Sequence, residues 1–141
     1  DKTNNGKLPI IIAGDFNSVT GSGVYDYVSK GSVSADHEDL QDHDYGSFTA
    51  SGLSHNLSLR SAYANGVELP FTNFVPGFEG VIDYIWYTTS SLSVSGLLGP
   101  VDKSYLGRIV GFPHAHYPSD HVCILAEFKL RSKPETREAK F

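Results

Sequence analysis

The chain has no methionine, a single cysteine and no apolar run long enough to cross a membrane. Each absence removes a class of protein. One cysteine cannot build an internal disulfide framework. Cys123 lies in the apolar run VCILAEF, so it reads as a small buried hydrophobe and points to a reducing compartment. With neither a span nor a signal peptide in view, a soluble chain is expected. Methionine is missing from position 1 as well, so a chain that opens on Asp1 is expected to be a piece of something longer. Basic residues are also scarce, 11 Lys and Arg against 16 Asp and Glu for a net charge of −5, which excludes a broad cationic footprint for nucleic acid. A nuclease whose positive charge is supplied by metal is not excluded. At 141 residues and 40% hydrophobic, one domain with an enclosed core is within reach.

What is present is three apolar runs with polar residues at their ends. LPIIIA, Leu8 to Ala13, is short and rich in β-branched residues, which reads as a strand buried on both faces. It gives way abruptly to GDFNS. Asp15 and Asn17 are two residues apart, so their side chains share a face if the extended geometry continues. The carboxylate can hold a hard cation or take a proton, and the amide can donate to an oxyanion. A turn or a helix cap is the other use of Asp, Asn and Ser after a strand, and both readings stand. GVIDYIWYTT, Gly80 to Thr89, is the second run, and Asp83 is out of place in it. A carboxylate between Ile82 and Tyr84 must be paired, hydrogen-bonded or neutralised, unless it faces water from a strand edge. The third run, VCILAEFKL, follows HAHYPSDH, so Asp120 and His121 stand at its mouth.

Between these runs, Ser22 is placed to cap a short helix carrying Val24, Tyr25 and Val28, with Gly31 as its stop. Residues 32–56 are rich in Ser, Asp, His and Gly and read as an irregular surface excursion. Within them SADHEDLQDHD lacks the spacing of a structural zinc site, which favours a solvated loop over a metal cluster. Asn65-Gly66 and Pro76-Gly77 mark turns. Leu92 to Leu98 alternates like a strand, and KSYLGRIVGFP holds a helical turn or two. Residues 1–130 are read as the folded portion and 131–141 as a charged flexible tail.

Strands that bury their middles expose their ends, so residues at three strand mouths can meet in space. With GDFNS, VIDYIWY and PSDH in that order, the chain resembles the endonuclease/exonuclease/phosphatase superfamily of metal-dependent phosphodiesterases. SGVYDYVSKG, HEDLQDHDYG, LPFTNF, LLGPVDKSYL and FPHAHYPSDHVCILAEF narrow this, being similar to the carbon catabolite repressor type deadenylases from about Leu8 to Leu130. The resemblance implies an α/β fold: the C-terminal half of a two-sheet, helix-flanked sandwich with a mixed β-sheet. It implies a 3′-to-5′ exoribonuclease that shortens mRNA poly(A) tails, releases AMP and uses Mg²⁺, with Mn²⁺ as the alternative ion. The partners implied are poly(A) RNA, the N-terminal half of the nuclease domain and scaffold subunits of the CCR-NOT deadenylase complex. The implied location is the cytoplasm, with the nucleus as a second.

Carried over residue by residue, the resemblance gives Asp15 the attacking water and a share of the metal. Asn17 contacts the scissile phosphate within reach of metal, and Asp120 is the remaining metal carboxylate. Asp83 orients the His121 imidazole, whose other nitrogen faces the phosphate. Asn73 and Phe78 contact the terminal adenine, the ring by stacking; without the resemblance they read as a turn amide and a core aromatic. The family's first half adds a metal-binding glutamate, an asparagine and a histidine, and leucine-rich repeats often precede it. None of these has a counterpart here, so a C-terminal fragment with exposed apolar faces, inactive alone, is expected. A non-catalytic interaction module, or a phosphoinositide or sphingolipid phosphatase on the same fold, are the alternatives.

Overall fold

A computed structural model of the chain describes residues 8–41, 43–64 and 69–131. Its centre is a three-stranded antiparallel sheet in the order β1 (Ile11–Asp15), β7 (Asp83–Thr88), β4 (Leu59–Ser61). Strand β7 sits in the middle because its side chains suit both faces. Tyr84 and Trp86 point one way, Ile85 and Tyr87 the other, and all four are buried.

Helix α1 (Gly23–Lys30) covers the first face. Ser22 caps it by accepting from the Tyr25 amide, and Gly31 ends it in the left-handed region at φ 81°. Its Tyr25 ring meets Trp86 and Tyr84 at centroid distances of 5.4 and 5.5 Å, and Phe16 closes the cluster edge-on. Strands β8 (Leu92–Leu97) and β9 (Ala126–Leu130) form an antiparallel pair over the opposite face. There Ala62, Ile85, Tyr87 and Leu92 make a core with Val94, Leu97, Ala126 and Phe128 around it. Sheet against sheet, with a helix outside, is the layering expected of half a sandwich. The expected mixed sheet shows only antiparallel pairings among the described residues.

The excursion at 32–56 is more ordered than its composition suggests. It holds β2 (Ser32–Val33) paired with β3 (Leu53–Ser54), and between them the short helices α2 (Glu38–Gln41) and α3 (Ser47–Ser51). Pro76-Gly77 turns β5 (Asn73–Val75) into β6 (Phe78–Gly80) as expected, and α4 (Lys103–Leu106) is the helical turn of KSYL. Asn65-Gly66 lies outside the described residues, as does the tail from residue 132. Arg131 is tied down: its amide donates to the Ser91 carbonyl and its Nε to that of Leu92.

Three expectations need correction. β1 is an edge strand, not one buried on both faces, and Ile11 and Ile12 remain 50% and 39% exposed because among the described residues only β7 pairs with it. The extended geometry stops at Asp15, and Asn17 is left-handed at φ 48°, so Asp15 and Asn17 do not present parallel side chains. Cys123 is exposed, because the run VCILAEF changes partner around it. Val122 bonds to Thr72 whereas Ala126 onward pairs with β8, and Cys123 is left lining an apolar groove with Phe71, Phe112 and Tyr117. Its burial therefore gives no argument about redox compartment.

Candidate active site

Asp15 and Asp83 end the pairing of β1 with β7 as register partners, so the two carboxylates lie on the same face of neighbouring strands. Like charges facing each other are unfavourable unless something cationic lies between them. His121 lies between them. Its Nδ1 lies 2.7 Å from Asp83 Oδ2, and its Nε2 lies 4.0 Å from Asp15 Oδ2. The hydrogen bond to Asp83 raises the His121 pKa above the ordinary 6.5. Partial burial opposes this, and the charges of Asp83, Asp120 and Asp15 add to the rise.

The chain reaches this arrangement by backbone bonds that draw His121 in from the far end of the sequence. The Phe74 amide donates to the Asp120 carbonyl and the Val122 amide to that of Thr72, an antiparallel bridge between Asn73 and His121. Asp120 is fixed by a second tie, since Asn73 Nδ2 donates to its Oδ2 at 3.2 Å. Asp15 is oriented locally: its Oδ1 accepts from the Asn17 amide at 2.7 Å, an Asx turn that the left-handed Asn17 completes. The other oxygen, Oδ2, is the one near His121.

One ligand atom each from Asp15, Asp83 and His121 lies within 4.8 Å of the others, the group that could hold a metal among the described residues. Asp120 lies outside that mutually close group and is bonded to Asn73. The donor set fits a hard divalent cation through Asp15, because its Oδ2 is a half-exposed carboxylate oxygen that accepts no hydrogen bond among the described residues. Asp83 fits less well as a ligand, because Oδ2 is already taken by the imidazole. The SADHEDLQDHD stretch is built otherwise: Asp39 accepts from the Gly23 amide at 2.6 Å, and its own amide donates to His37 Nδ1. Those side chains staple a loop.

A family profile described as the Endonuclease/Exonuclease/phosphatase family matches residues 1–121. The chain belongs to this family. It is 59% identical over 127 residues to the CCR4-Not complex 3′-5′-exoribonuclease subunit Ccr4 of Schizosaccharomyces pombe, covering 90% of this chain and 18% of that one. To the protein of the same name in Mycosarcoma maydis it is 56% identical over 129 residues, covering 92% and 19%. The chain thus spans about a fifth of the length of these curated relatives. Among solved structures it is similar to ANGEL2, a 2′,3′-cyclic phosphatase, with a TM-score of 0.68 and 24% identity over 86% of this chain and 45% of that one. That likeness is one of fold.

Within the endonuclease/exonuclease/phosphatase domain, the two residues expected at the base lie on one hairpin. Phe78 is partly exposed, and a Cβ built on Gly80, the cross-strand partner of Asn73, would stand 2.9 Å from Phe78 Cζ. The Phe78 ring therefore lies over Gly80. Asn73 is buried, and its amide is engaged with Asp120. One residue at the centre of this region escaped the sequence reading: Thr72, fully buried, bonds to the backbone at Ile82 and Asp83. The only signal for it was a β-branched hydroxyl between Phe71 and Asn73, which looks like any strand residue.

Proposed function

We propose that the protein carrying these residues is a divalent-metal-dependent 3′-to-5′ exoribonuclease that shortens poly(A), releases AMP and works as a subunit of a CCR4-Not type complex. The observation that carries the hydrolytic part is one imidazole set between two carboxylates, with Nδ1 occupied by Asp83 and Nε2 left towards Asp15. The choice of RNA and of complex is supported by 59% and 56% identity to Ccr4 exoribonuclease subunits.

In this reading Asp83 holds the proton on His121 Nδ1 and favours the imidazolium, so Nε2 can donate to a phosphate oxygen as negative charge builds. Asp15, with Oδ1 held by the Asn17 amide, keeps Oδ2 to accept a proton from the attacking water. Water adds to phosphorus, the bond to the 3′ oxygen breaks, and that oxygen leaves with a proton from solvent. A bound Mg²⁺, or Mn²⁺ in its place, would be held through Asp15, whose oxygen belongs to the close group with Asp83 and His121, and would offset the charge of the phosphate and leaving oxygen. Phe78 offers its ring to the terminal adenine, and Asn73 joins that base site to Asp120. The N-terminal half of the nuclease domain, scaffold subunits and a cytoplasmic or nuclear setting complete the reading; residues 1–141 alone are inactive in it.

The test is poly(A) shortening by the full-length protein and by His121→Ala and Asp15→Ala, each expected to lose about a hundredfold or more in kcat. Undiminished activity in both variants sinks the reading. Running oligo(A), oligo(U) and a phosphorylated lipid head group side by side tests the substrate, with equal rates on the lipid moving the protein into the phosphatase class.

A further inference from the structure

We propose that Thr72 is a positioning residue that sets the Asp83–His121 pair, a role that rests on the catalytic reading of that pair. Thr72 is 0% exposed. Its Oγ1 accepts from the Ile82 amide at 2.9 Å and from the Asp83 amide at 3.0 Å. Its main chain is bonded in both directions: the amide donates to the Gly80 carbonyl at 2.9 Å, and the carbonyl accepts from the Val122 amide at 2.8 Å. One buried residue thus grips the chain at Asp83 and again immediately after His121, two segments about forty residues apart in sequence that must meet within a 2.7 Å bond.

The hydroxyl oxygen is the part that matters. The Ile82 and Asp83 amides enter β7 from the β6 hairpin, and a buried amide without an acceptor is costly enough to move. A side chain that filled the same volume without an oxygen would leave both amides unsatisfied and let Asp83 shift relative to His121. Displacements of about 1 Å at such groups are enough to cost up to a hundredfold in rate. A threonine that served only to fill space would be replaced by valine, its near isostere, without consequence for the chemistry.

Thr72→Val and Thr72→Ser in the full-length protein separate the two roles. We expect Thr72→Val to lower kcat on oligo(A) at least about tenfold with KM within about threefold, and Thr72→Ser to stay within about threefold in both. In the metal-free protein, the low-field proton resonance of the imidazole shared with Asp83 is expected to shift or vanish in Thr72→Val and to persist in Thr72→Ser. Parent-like kcat and resonance in Thr72→Val overturn the assignment, as does an equal loss in both variants. If Thr72→Val does not fold, Thr72→Ser alone decides, its retained kcat and resonance supporting the role and their loss overturning it. His121→Ala run in parallel keeps the failures apart: no loss there removes the catalytic reading, whereas loss at His121 with none at Thr72→Val removes only the role of Thr72.

Discussion

A histidine whose proton is held by an aspartate is coupled to pH through its folded-state pKa, and for His121 that value lies above 6.5. The folded state then binds the proton more tightly than the unfolded one. The stability this lends is fully present below pH 6.5 and is lost as pH rises through the raised value. Metal-free protein should therefore show a melting temperature that falls across that window. Asp83→Asn removes the foremost cause of the rise, so its melting curve should lose this slope, and proton titration of the ring should report a lower pKa. An unchanged slope would mean that Asp83 does not set the charge of His121. The same scale holds a test of the proposed base site. Because Gly80 lacks a Cβ, the Phe78 ring can lie over it; Gly80→Ala meets only the far end of that ring, so folding survives but the ring moves. The expected result is a raised KM on oligo(A), about threefold on the scale of one weakened stacking contact, with little change in kcat. Equal KM values would separate Phe78 from the adenine.

At the scale of elements, what was legible followed from chemistry local to the segment. Helix α1 could be bounded from Ser22 and Gly31 because caps act through side chains and dihedrals that neighbours do not decide. Ser22→Ala should cost about 1 kcal/mol with activity per folded molecule unchanged, read from urea midpoints and assay together. Asp83 could be singled out because a charge inside a buried run has few innocent explanations. What stayed hidden depended on partners. VCILAEFKL read as one strand because an apolar run carries no mark of where it exchanges Thr72 for β8, and Cys123 was misjudged with it. The β2–β3 pair was hidden because two-residue strands have no periodicity to detect. Gly52 carries that ribbon: at φ +76° its would-be Cβ stands 2.5 Å from the Val33 carbonyl oxygen. Gly52→Ala should cost on the order of 1–3 kcal/mol. A parent-like urea midpoint would show that the ribbon can open without loss.

For the whole molecule, the exposed edge of the central sheet is the feature that local chemistry leaves unexplained. Ile11 and Ile12 are 50% and 39% exposed, on a strand whose pairing with β7 also brings Asp15 to Asp83, and Leu8 just before it is 48% exposed. An apolar strand open along one edge invites association unless something covers it. The chain covers 45% of the ANGEL2 chain of the same fold, and the reading above assigns the rest of the sandwich to an N-terminal half. That makes a connected prediction, because Asp15 is the last residue of β1. Residues 1–141 alone should bind a hydrophobic dye, self-associate with rising concentration and melt over a broad range. Joining or adding the N-terminal half should abolish dye binding, sharpen the melt and bring poly(A) shortening with it. A monomeric, sharply melting, dye-silent chain of 141 residues would show that β1 tolerates water. Recovery of a sharp melt without recovery of activity would leave the sandwich intact and place the fault at Asp15, Asp83 and His121 themselves.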